Sequence, residues 1–124
     1  MSPRTALPTL ADRVRVGRFE VSPYCVGGVD DADVIPAAFD AGCNFFFVSA
    51  DMHWPRYSPS RKGLAALFAR GTAVRDRVVV AAVSYVAQPE FAAGPICELI
   101  EDIPGMKRAD ITLAGGCYAR DIDR

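Results

Sequence analysis

Hydrophobic positions along the chain follow two rhythms. In "VRVGRFEVSP", Val14, Val16, Phe19 and Val21 alternate with polar residues around Gly17, which predicts a short β-hairpin. "YCVGG" (residues 24–28) is a short strand stopped by two glycines. The rhythm then changes. In "DDADVIPAAFDAG", Ile35, Ala38 and Phe39 share one helical face, Asp30 or Asp31 can cap the start, and Gly42 ends the helix. Pro36 is tolerable there only in the first turn, where its missing N–H has no intrahelical partner to lose. "NFFFVSA" (residues 44–50) is an unbroken apolar run, as expected of a strand buried on both faces.

The same grammar repeats downstream. Ser58 and Pro59 suit the N-cap and first position of a helix whose buried stripe is Leu64, Leu67 and Phe68, with Gly71 closing it. "RVVVAAVSY" predicts a second doubly buried strand. Ile96, Leu99, Ile100 and Ile103 place a helix over about 95–103, and "ADITLAGG" (residues 109–116) is the last strand. Residues 1–15 read as a loose leader and residues 16–124 as one α/β domain: a hairpin, then β-α-β-α-β-α-β. Strands alternating with amphipathic helices imply right-handed crossovers and a parallel sheet. The pattern fits either the N-terminal half of a (β/α)8 barrel or a small doubly wound sheet.

Composition narrows the function classes. With 124 residues, 51% hydrophobic and 23% charged, the chain has the balance of one folded domain. The net charge is −1 and no basic stripe could neutralise a phosphate backbone, so nucleic acid is not an expected partner. Neither apolar run is long enough to span a bilayer, and the N-terminus, broken by Pro3, Pro8 and Arg13, has no apolar signal core. The expected location is cytoplasmic. The four cysteines, Cys25, Cys43, Cys97 and Cys117, lie far apart with no CxxC pair, so no metal site is expected and the thiols read as mostly buried and reduced.

"FEVSPYCVGG", "IPAAFDAGCNFFFVSADMHWP", "RKGLAALF" and "RDRVVVAAV" together resemble successive N-terminal blocks of the aldo-keto reductase family, in order and spacing, over about residues 16–117. The resemblance implies the first half of a (β/α)8 barrel preceded by a hairpin, in a family that reduces carbonyls with a nicotinamide cofactor. It also puts the family's chemistry in doubt here. The family's active-site Asp matches Val48, its proton-donating Tyr matches His53, its Lys matches Val83, and its strand-end His matches Cys117, or Gly116 if the alignment slips by one. A Lys–Asp pair lowers the Tyr pKa in that mechanism, and two valines can neither carry charge nor donate a hydrogen bond. Family members grip the cofactor largely with later loops, and the chain carries no glycine-rich dinucleotide fingerprint beyond "VGG". No cofactor is therefore expected in this chain, and NADPH only where a C-terminal half is supplied.

Strand ends converge in such a fold, so Gly27, Ser49, Asp51, His53, Trp54, Ser84, Tyr85, Cys117 and Tyr118 are expected on one face. His53, the only histidine, is the candidate acid or base, with Asp51 or Tyr85 nearby as its partner. Trp54, Ser84, Tyr85 and Tyr118 are candidate ligand contacts. The structural alternatives are Asp51 capping a turn, His53 held by backbone, and Trp54 packing over the strand mouth. The expected function is a degenerate, non-catalytic module binding a small ligand or a protein partner. The alternative is an NADPH-dependent oxidoreductase whose other half lies elsewhere. A half barrel leaves strand edges unpaired and Phe45, Phe47, Val79 and Ala81 without a complete interior. A homo-oligomer or a partner chain completing the barrel is expected for that reason.

Overall fold

The computed structural model describes residues 6–86 and 88–115. The predicted hairpin is present: β1 (Val14–Val16) pairs antiparallel with β2 (Phe19–Val21), and Gly17 turns between them at φ +58°. Residues 8–13 before it are fastened to the body. Tyr24 Oη donates to Pro8 O (2.9 Å), Arg13 reaches Gly42 O (3.0 Å), and Leu10 packs against the core. Asn44 ties the hairpin's exit to the sheet, accepting from Ser22 N–H (2.7 Å) and donating to Glu20 O (2.9 Å).

The strand expected at 24–28 contracts to one bridge. Val26 donates to Phe45 O (3.0 Å) and accepts from Phe47 N–H (2.8 Å). Pro23 before it has no N–H for a ladder, and Gly27 and Gly28 after it have no side chains to pack. Helix α1 (Val34–Asp40) takes Pro36 in its first turn, as required. Its end satisfies two carbonyls: Gly42 N–H bonds Phe39 O and Cys43 N–H bonds Ala38 O, both at 2.9 Å, with Gly42 at φ +111°.

After β3 (Phe45–Ser49) a 3-10 turn (Pro55–Tyr57) runs straight into α2 (Ser58–Phe68). Ser58 is thus the first helical residue rather than the N-cap, because its N–H already donates to Pro55 O. A short α3 (Thr72–Asp76) follows Gly71, then β4 (Val79–Ser84), α4 (Ala93–Asp102) and β5 (Ile111–Ala114). Helix α4 starts two residues before the expected Pro95. Ile103 caps it in an extended conformation while remaining buried.

Strands β3, β4 and β5 form a parallel sheet in sequential order, with Val26 bridged to the far side of β3. One face carries Phe46, Val48, Val80 and Ala82. Against it pack Ile35 of α1, Leu64, Leu67 and Phe68 of α2, and Ile96 and Leu99 of α4. The register puts Phe45, Phe47, Val79, Ala81, Val83, Ile111 and Leu113 on the other face, where none of these helix residues packs. The predicted burial of β3 on both faces is therefore corrected: Phe45 and Phe47 stay partly exposed, whereas Val79, Ala81 and Val83 of the central strand β4 are buried on that same face. A doubly wound sheet has helices on both faces and reverses its strand order, and neither feature is present among the described residues.

Two tight contacts hold the layers. A Cβ on Gly63 would lie 2.5 Å from Ala32 O and from Ile35 Cγ1, so α2 approaches α1 only because residue 63 has no side chain. Arg75 of α3 is 1% exposed and donates to Met106 O (2.7 Å), Val78 O (2.8 Å), Arg108 O (2.8 Å) and Asp110 Oδ2 (3.0 Å). It thereby pins the segment leading into β5. Burial pulls its pKa below the usual guanidinium value, and Asp110 pulls it back up. Among the described residues no helix is long and apolar enough to cross a membrane.

Candidate functional site

The loop after β3 is organised by Asp51. Asp51 N–H donates to Ser49 Oγ (3.1 Å), Asp51 Oδ1 accepts from the backbone N–H of His53 (3.0 Å), and Asp51 O accepts from Trp54 N–H (3.2 Å). This is a side-chain-closed turn of the kind Asp favours. The carboxylate engages the backbone of His53, not its imidazole, and both side chains are exposed. Trp54, 44% exposed, meets Tyr57 edge-on (ring centroids 5.4 Å), and Tyr57 meets Phe47 edge-on (5.9 Å). The three rings descend from the loop to the open face of the sheet. Arg56 pairs with Asp30 (2.7 Å), and Ser60 Oγ donates to Gly27 O (3.3 Å), which ties this loop and α2 to residues 27–30.

A cavity of about 270 Å³ opens at the C-terminal ends of β3 and β4, between that loop and α4, with Asp51, Met52, His53, Tyr85, Pro95 and Glu98 on its walls. Tyr85 is 54% exposed. Its ring passes so close to Gly115 that a Cβ there would lie 2.6 Å from the ring carbons and 2.9 Å from Val83 Cγ2. A glycine after β5 is what allows that ring position. The cavity combines two carboxylates, an imidazole, a phenol and a thioether, with no lysine or arginine among the described residues of its walls. It suits a small polar ligand that is neutral or positively charged. Glu98 escapes the sequence reading, which followed only the apolar stripe of α4. Its spacing of three from Pro95, on the polar side of that helix, is the available signal.

The remaining candidates separate. Val48 is fully buried in the helix-facing core, whereas Val83 pairs with Ser49 on the other face. Residues on opposite faces of one sheet cannot form an interacting pair, so these two positions do not make an Asp–Lys arrangement even in outline. Ser84 also faces the helix layer and lies outside the His53 cavity, lining a separate cleft. Trp54 is not on the cavity wall. Cys117 and Tyr118 fall outside the described residues, as does Gly116.

The expectation of mostly buried thiols is corrected. Cys43 is buried, but Cys25 and Cys97 are exposed. Even so, partial burial and the neighbouring Cys43 push the Cys25 thiol up to about 11, which leaves it a poor nucleophile near neutral pH. Among the described residues no group of three or more His, Cys, Asp or Glu is arranged to hold a metal ion. Comparison with protein-family models and with curated proteins finds no match for this chain.

Proposed function

We propose that this chain is an aldo-keto-reductase-like half barrel that has kept the strand-end cavity and lost the family's chemistry, and that it binds a small molecule there without reducing it. The sequential strand order, the helices on one face only and the leading hairpin support the barrel reading. The observation that carries the functional reading is the cavity between the residue 51–54 loop and α4, where His53, Asp51, Tyr85 and Glu98 meet at strand ends. Asp51 serves the turn, and the imidazole has no hydrogen bond to that carboxylate. His53 therefore acts as a ligand contact rather than as half of an acid–base pair.

One observation favours a second reading, in which another chain completes an NADPH-dependent oxidoreductase. The sheet face carrying Phe45, Phe47 and Leu113 is free of helix cover, and β5 has an unpaired outer edge among the described residues. A second copy or a partner laid over that face would supply the missing half. Screening small polar compounds by amide NMR separates the two readings. Saturable shifts at residues 51–53 and 85 that weaken in Tyr85→Ala support the binding module. Binding that appears only when a partner chain is added supports the completed enzyme.

A further inference from the structure

Ser84 ends β4 on the helix-facing side of the sheet, 3% exposed, and its hydroxyl oxygen is buried without a hydrogen-bond partner. The other buried serines are all engaged: Ser22 Oγ with Tyr24 O (2.8 Å), Ser49 Oγ with Asp51 N–H (3.1 Å), and Ser60 Oγ with Gly27 O (3.3 Å). A buried hydroxyl left unpaired is costly, so Ser84 stands out as a donor awaiting an acceptor.

The space in front of it has a definite character. A cleft of about 340 Å³ is bounded by Ser84, Thr112 and Ala114 at the strand ends and by Ala92, Ala93 and Ile96 where α4 begins. The register puts Thr112 beside Ala82 and Ala114 beside Ser84, so the two hydroxyl residues share the helix-facing side. Helix α4 has ten residues, and no side chain caps its first turn. First-turn N–H groups have no intrahelical acceptor and carry the positive end of the helix dipole. Pro95 removes one of those donors, leaving Ala93 and Gly94 to supply them.

We propose that this cleft binds the carboxylate of a small aliphatic acid, at a site separate from the His53 cavity. The head group accepts from the first turn of α4 and, once the Ser84 side chain turns from its buried position into the cleft, from Oγ–H; the tail lies on the methyl groups of Ala92, Ala114 and Ile96. Two features select this class. Among the described residues no lysine or arginine lines the cleft and Glu90 stands in the turn leading into α4, so the first-turn N–H groups meet one negative charge more readily than a phosphate's two. The volume far exceeds the roughly 30 Å³ share of one water, and the walls are mainly apolar.

The test is amide NMR on the labelled chain titrated with isobutyrate, with inorganic phosphate and the neutral isobutyramide as competing probes. Saturable shifts at Ser84, Ala93 and Gly94 with isobutyrate alone are expected, weakened roughly 10-fold or more in Ser84→Ala. Because the hydroxyl has no partner in the free protein, Ser84→Ala should also melt at or above the parent temperature. The proposal is overturned by absence of saturation up to roughly 0.1 M isobutyrate. It is equally overturned by equal shifts with isobutyramide, by a preference for phosphate, by unchanged affinity in Ser84→Ala, or by shifts centred on residues 51–53. A lower melting temperature in Ser84→Ala would also overturn it, by showing that the hydroxyl is structurally engaged.

Discussion

Replacing Arg75 by Met keeps most of the side-chain volume and removes the guanidinium that pins the approach to β5. The parent residue satisfies three carbonyls, those of Met106, Val78 and Arg108, together with one oxygen of Asp110, itself almost fully buried. Removing one partner of a buried ion pair costs about 3–5 kcal/mol, because the other charge stays desolvated. Here the lower end applies. Asp110 keeps the Val80 N–H on Oδ2 (2.8 Å) and Arg108 Nε on Oδ1 (2.9 Å), so its carboxylate is not wholly orphaned. A loss of about 3 kcal/mol corresponds to a melting temperature lower by roughly 10 °C for a domain of this size. Thermal melts followed by circular dichroism measure it. Arg70→Met is the control, since Arg70 and Asp40 pair in the open (2.6 Å; side chains 41% and 58% exposed), where solvent screens the two charges. Equal losses for the two variants, or a loss below about 1 kcal/mol for Arg75→Met, would show that the buried guanidinium does not hold the approach to β5.

Three further outcomes follow from named contacts. Gly63→Ala should cost about 1–3 kcal/mol by pushing α2 off α1, read as a lower urea midpoint with an unchanged slope. Gly115→Ala should displace the Tyr85 ring and weaken any ligand of the His53 cavity several-fold, with the NMR shifts at residues 51–53 losing saturation. Cys25 should alkylate at pH 8 about 10-fold more slowly than a thiol at the ordinary value of 9.0, the smaller thiolate fraction being partly offset by a more nucleophilic thiolate, as mass spectrometry with iodoacetamide would measure. The sign of its linkage is fixed as well: between 9.0 and about 11 the unfolded chain releases this proton first, so stability falls as pH rises through that window.

Periodicity located most elements because the helix-facing core demands it. Leu64, Leu67 and Phe68, and Ile96 and Leu99, recur at the spacing that packs them against Phe46, Val48, Val80 and Ala82. Apolar content alone was ambiguous for β3, since Phe45 and Phe47 look like core whether or not anything covers their face. Helix α3 went unread because five residues give no period, and Arg75 within it looks like a surface charge until three carbonyls and Asp110 surround it. At the site, Asp51 as a turn-former was legible from its residue type. The separation of Ser84 from Tyr85 follows from strand alternation once β4 is given its register. Glu98 and Gly115 depend on how α4 and β5 sit against the sheet, which no local pattern specifies.

The claim that the strand-end cavity binds without reducing is tested most directly by mixing the chain with NADPH and a panel of small aldehydes and quinones. Absorbance at the reduced cofactor's band reports turnover, and emission from Trp54, the only tryptophan, reports binding near the cavity. No NADPH oxidation above the protein-free rate is expected, and no saturable change with NADPH alone. NADPH oxidation that disappears in His53→Ala would contradict that claim and make His53 a working proton donor.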